Sequence, residues 1–90
     1  MNMKAKLKAK QQLPKWFKGE LYGEGAVVRN RFSGEEYELN NVELSMYDLV
    51  MGLVIMTEMG SRDTKVITDL RKGLDWFRMN NAEAYMVLLD

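Results

Sequence analysis

Residues 42–59 constrain this chain more than any other stretch. Read on a helix, Leu44, Met46, Tyr47, Leu49, Val50, Met51, Leu53, Val54, Ile55, Met56 and Met59 cover most of the circumference. Glu43, Ser45, Asp48, Thr57 and Glu58 are the clearly polar positions, and they gather towards the two ends. A helix apolar on nearly every side must be covered on nearly every side. The chain has 90 residues with which to do it, enough for one domain and too few for two.

A domain of this size buries a modest share of its unfolded surface, and small proteins often compensate with disulfides, a metal or a partner subunit. Cysteine and histidine are both absent. Disulfides and zinc sites of the Cys/His type are therefore excluded, and oligomerisation is the remaining common route. Two readings of the apolar helix follow. Part of it forms a homo-oligomer interface, with a dimer favoured, or a third helix together with Trp16 and Phe17 closes over it within one chain. The interface reading selects Met46, Val50, Leu53 and Val54 on this helix and Trp76 on the next. The many methionines read as filler in a small core.

The flanking sequence supplies a hairpin and further helices. Pro14 pushes Leu13 towards extended geometry, and Trp16 and Phe17 behind it are placed to cover the core edge. Residues 26–30 and 35–39 flank Ser33-Gly34, a hairpin signal. A two-residue turn pairs Val28 with Leu39, whereas a four-residue loop over 31–34 pairs Val28 with Tyr37 and Arg29 with Glu36. In either register Val28, Tyr37 and Leu39 face the core, and Arg29, Glu36 and Glu38 face water. Asn40 with Glu43 three residues on is a capping box for the apolar helix, and Gly60 is a natural stop. Ser61 or Asp63 caps a second helix over 64–79, in which Val66, Leu70, Leu74 and Phe77 form one stripe with Ile67 beside it. Asn80 with Glu83 opens a short third helix reaching Leu89. The expected fold is α+β: an N-terminal β-hairpin packed on two longer helices and a short C-terminal helix, one domain over residues 13–90. Residues 1–12 are expected to be a mobile basic arm.

Charge is unevenly spread. Residues 1–18 hold six lysines and no acid, and the remainder holds seven basic and thirteen acidic groups. Lys4, Lys6, Lys8 and Lys10 are candidates for salt-sensitive contact with nucleic acid. The arm has no arginine and no aromatic to stack on bases, and the body is acidic, so this reading is not the favoured one. Catalysis has less support still. Without histidine, the Ser-His-Asp and Cys-His arrangements are gone. Glu35, Glu36 and Glu38 read as salt-paired hairpin charge, and Asp48 as a residue suited to a helix N-terminal turn. The glycines at 19, 23 and 25 lack the spacing of a phosphate loop and are lined by glutamates. No catalytic, cofactor-binding or metal-ligating residue is assigned, and no cofactor is expected. The richest apolar run, residues 49–56, is far too short to span a bilayer, so no membrane partner is expected. The basic N-terminus leads into no apolar cleavage-type segment, and a cytoplasmic location is expected.

Three stretches carry a family resemblance: Phe32-Ser33-Gly34-Glu35-Glu36-Tyr37-Glu38-Leu39, Glu43-Leu44-Ser45-Met46-Tyr47-Asp48, and Lys72-Gly73-Leu74-Asp75-Trp76-Phe77-Arg78 running on to Ala84-Tyr85-Met86-Val87-Leu88-Leu89-Asp90. Together they resemble small proteins encoded by tailed phages and by metagenomic sequences of marine bacterioplankton. The resemblance covers residues 13–90 and implies a phage accessory or environmental origin; a host or virion protein as partner belongs to the leading expectation below. It implies no mechanism and no functional residues. The leading expectation is a non-catalytic, self-associating interaction protein.

Overall fold

The computed structural model describes residues 11–90. The four candidate lysines at 4, 6, 8 and 10, and with them most of the expected arm, lie outside the described residues. The expected α+β arrangement is present. An antiparallel hairpin of β1 (Ala26–Arg29) and β2 (Glu36–Leu39) is followed by α1 (Asn41–Glu58), α2 (Thr64–Asn80) and the short α3 (Ala82–Ala84), which runs into a π-helical turn over Tyr85–Leu89.

The hairpin adopts the register of the four-residue loop, with Val28 opposite Tyr37 and Arg29 opposite Glu36. Asn30 decides this. Its side-chain oxygen accepts from the amides of Phe32 (2.7 Å) and Ser33 (3.0 Å), while its side-chain nitrogen donates to the Val87 carbonyl at 2.8 Å. One amide therefore shapes the loop and anchors it to the C-terminal turn. Leu39 is fully buried, Val28 and Tyr37 are half-buried, and Arg29 pairs with Glu36 at 2.8 Å on the outer face.

The capping box closes as expected. The Glu43 amide donates to the Asn40 side chain at 2.8 Å, and the Asn40 amide donates to Glu43 Oε1 at 2.9 Å. At the other end of α1, Gly60 takes φ +97°, and the amides of Gly60 and Ser61 donate to the carbonyls of Thr57 and Met56. Those two bonds satisfy carbonyls that the helix leaves open. Asp63 caps α2 through the Lys65 amide at 2.8 Å. The third cap is Asn81, where Asn80 was expected: Asn81 accepts from the Ala84 amide at 3.1 Å. Asn80 stays within α2, its side chain donating back to the Trp76 carbonyl at 2.9 Å.

Helices α1 and α2 pack as an antiparallel pair that approaches closely at Gly73. A Cβ there would lie 2.6 Å from Val50 Cγ2. The hairpin and the C-terminal turn pack along one side of the pair, where Leu88 and Leu89 line a cavity of about 120 Å³ with Met51 and Val54. The segment over residues 11–22 runs against the helices as well: the Trp76 indole N–H donates to the Gln12 carbonyl at 3.0 Å, and the Tyr22 amide donates to Ser45 Oγ at 3.0 Å. The packed body thus already includes Gln11 and Gln12, which were placed with the arm.

This enclosure corrects the predicted interface. Met46 and Val50 are completely buried, Leu53 and Trp76 nearly so, and Val54 is half-buried, all within a single chain. Trp76 lies edge-on against Phe77, with ring centroids 5.2 Å apart. These side chains belong to the core with Leu39, Phe77, Ala84 and Leu88. The physical reason is that the N-terminal segment and the C-terminal turn hide this half of α1.

Candidate interaction surface

The apolar excess of α1 is displaced along the helix rather than abolished. Beyond Leu53 cover is partial: Arg31 of the hairpin loop pairs with Glu58, but the apolar side chains of this stretch stay exposed. Met59 is 81% exposed, Ile55 47%, Met56 45%, and Ile67 on the adjoining start of α2 42%. These four side chains mark the open end of the pair. A hollow of about 380 Å³ is lined by Met56, Met59, Gly60 and Ser61, and a groove of about 440 Å³ runs past Ile67, Leu70 and Leu74 between Arg71, Asp75 and Arg78. Exposed charge rings the region in Glu58, Arg62, Asp63 and Lys65. An apolar centre with a charged margin is the usual anatomy of a protein-binding patch. None of these four apolar residues was selected from the sequence. The signal was present in the helix being apolar all round, but which half would be left bare depended on where distant segments pack.

One carboxylate among the described residues points inward. Glu43 is fully buried. Its Oε2 accepts from Gln11 Nε2 at 2.9 Å and from Asn81 Nδ2 at 2.8 Å, and its Oε1 is occupied by the capping box. Gln11 Oε1 in turn accepts from Asn40 Nδ2 at 3.0 Å. The cluster joins the N-terminal segment, the start of α1 and the junction of α2 with α3. Sealed from solvent, this carboxylate is out of reach of a substrate, and its arrangement is that of a latch. Among the described residues every buried side-chain nitrogen and oxygen has a hydrogen-bond partner. A cleft of about 510 Å³ beside Gly23, Glu24, Gly25, Glu38, Leu39, Asn40 and Asn41 is polar and open, with two carboxylates at its rim.

Two tyrosines are shifted from their ordinary value. Burial raises the Tyr47 phenol above its ordinary value, and Arg31 opposes the shift. Burial also raises Tyr22, aided by the charges of Asp48 and Glu20. Among the described residues no group of three or more Asp, Glu, Cys or His side chains is placed to hold a metal ion. No helix among them is long and apolar enough to cross a membrane.

Comparison with family models, with curated proteins and with solved structures gives no match. Fold and surface by themselves define the class: a small α+β protein in which a β-hairpin packs beside a helical hairpin whose connecting end keeps exposed apolar side chains.

Proposed function

We propose that this protein is a non-catalytic interaction protein that self-associates through the open end of its helix pair. The observation that carries the reading is the exposure of Ile55, Met56, Met59 and Ile67 on adjoining turns, with no element among the described residues closing over them. Burying such side chains between two copies removes apolar surface from water at roughly 25 cal/mol per Å². In this reading the protein works in the cytoplasm as an accessory factor of the phage type, and its activity lies in what it binds, a host or virion protein.

Light scattering tests the reading. Wild-type protein is expected to assemble, with a dimer as the first state, at roughly tens of micromolar. Met59→Glu and Ile55→Glu, which change only exposed positions, should remain monomeric with unaltered circular dichroism. A wild-type chain that stays monomeric at several times that concentration overturns it. A second reading rests on the lysine alternation at 4, 6, 8 and 10, which suits salt-dependent contact with nucleic acid. Under that reading, deleting residues 1–10 abolishes a binding that weakens steeply with salt; retention of binding after the deletion rules it out.

A further inference from the structure

We infer that residues 11–22 form a releasable strap over the seam between α1 and α2, and that the seam beneath it is a binding site for an extended peptide of the strap's own chemistry. The seam is distinct from the open end at Ile55 and Met59 and does not depend on association there.

The strap is held without a backbone ladder. Among the described residues no backbone-to-backbone hydrogen bond joins it to the rest of the chain; the one bond of that kind within it runs from the Phe17 amide to the Pro14 carbonyl. Its ties are single groups at its two ends. The Gln11 side chain reaches Glu43, Asn40 and the Asn80 carbonyl, and the Gln12 carbonyl accepts from Trp76. At the far end the Tyr22 amide donates to Ser45 Oγ. Between them Trp16 straddles the seam: a Cβ on Gly73 would lie 3.9 Å from its ring and 3.7 Å from Met46 Sδ. Leu13, Trp16 and Phe17 are nevertheless only half-buried. A segment with few fully buried apolar side chains and no ladder opens at a lower free energy than the core beneath it.

Two glycines set where release stops. A Cβ on Gly25 would collide with the Leu39 carbonyl oxygen, so that residue is pinned against the end of β2, whereas a Cβ on Gly23 would meet nothing within 4 Å. The hinge therefore falls at Gly23 and Glu24, ahead of the hairpin. Release strands no buried polar group. Glu43 keeps the Asn81 side chain and the Asn40 amide as donors, Ser45 Oγ still donates to the Asn41 carbonyl, and the Trp76 N–H turns to water. The uncovered seam offers a carboxylate at one end, then an indole donor, an apolar floor at Met46 and Gly73, and a hydroxyl at the other end. A partner peptide needs a carboxamide for Glu43 and, at the spacing of Gln11 and Trp16, an aromatic ring for the floor.

Hydrogen exchange of the wild-type chain tests the release. The Trp76 indole proton should show a protection factor at least about ten-fold below those of the Val50 and Leu53 amides inside α1. Equal protection means that the strap leaves only when the whole domain unfolds, and overturns the proposal. Binding in trans tests the seam. Trp16→Ala should keep its helices by circular dichroism while its strap loses the floor. A labelled peptide of residues 11–22, with Trp16 intact, should bind this variant at least about ten-fold more tightly than wild type, whose own strap competes for the seat. Equal affinity for the two proteins, or binding to neither, means that the seam is no peptide site. Should Trp16→Ala lose its helices, Gly19→Ala loosens the same strap, since a Cβ there would lie 2.8 Å from Phe17 and 3.1 Å from Leu49.

Discussion

Glu43 shows how much one side chain can connect. A carboxylate taken fully out of water is unfavourable unless donors surround it, and here the Gln11 and Asn81 side chains and the Asn40 amide supply them. Glu43→Ala leaves those donors buried without their acceptor, at about 1–3 kcal/mol each. A loss of about 3–5 kcal/mol in urea unfolding is expected, a large part of the stability of a domain this small. Glu43→Gln keeps the shape and is expected to lose less, about 1–2 kcal/mol. A Glu43→Ala loss below about 1 kcal/mol would show that the latch is not structural. Half of this site was legible beforehand: Asn40 and Glu43 sit three residues apart, so the capping box is a local pattern. Gln11 and Asn81 stand 32 and 38 residues from Glu43, and nothing local links them to it. Tyr47 gives the pH dependence. Its folded-state value is raised, so its contribution is intact below the ordinary tyrosine value near 10 and is lost as pH climbs through the folded value. Wild-type stability should fall as pH rises above about 10, and Tyr47→Phe should fall less over the same window. Equal alkaline slopes for the two proteins would contradict the assignment.

At the scale of elements, the two helix-interior glycines make opposite predictions from one structural fact. Gly73→Ala drives a methyl against Val50, which cannot swing aside as a long side chain would, and should lower stability by about 1–3 kcal/mol. Gly52→Ala meets open space and should raise the stability of the single chain by up to about 1 kcal/mol. Thermal melts of dilute samples check both, and a Gly73→Ala melt at or above wild type would mean that the helices do not approach at Gly73. The boundaries of α1 were legible because Asn40 and Gly60 are strong punctuation. The start of α3 was not: Asn80 and Asn81 are chemically alike, and only the bond from Asn80 back to Trp76 keeps the former inside α2. The hairpin register was similarly open between two turns until the Asn30 side chain, held by the Val87 carbonyl, closed the longer loop.

At the scale of the whole molecule, an apolar end left bare makes stability a function of concentration. If copies cover that end, the folded state is favoured by mass action and the melting temperature should rise with protein concentration. Met59→Glu should remove the rise without lowering the melting temperature of the dilute chain. A concentration-independent melt for wild type would show that the end stays open. The amino-acid sequence by itself determined the order of the elements, the faces of the hairpin, the Asn40 cap, a choice of two residues for the next cap and the fact that the helix of residues 42–59 is too apolar to stand alone. All of these rest on residues within a few positions of one another, where capping, turn chemistry and side-chain periodicity act. Only the tertiary structure decided which half of that helix is hidden. Met46, Val50, Leu53 and Trp76 are covered because the segment over 11–22 and the turn at Tyr85–Leu89 return from the two ends of the chain to pack on the same half. Such burial depends on contacts between positions far apart in sequence, and those contacts leave no local pattern to read.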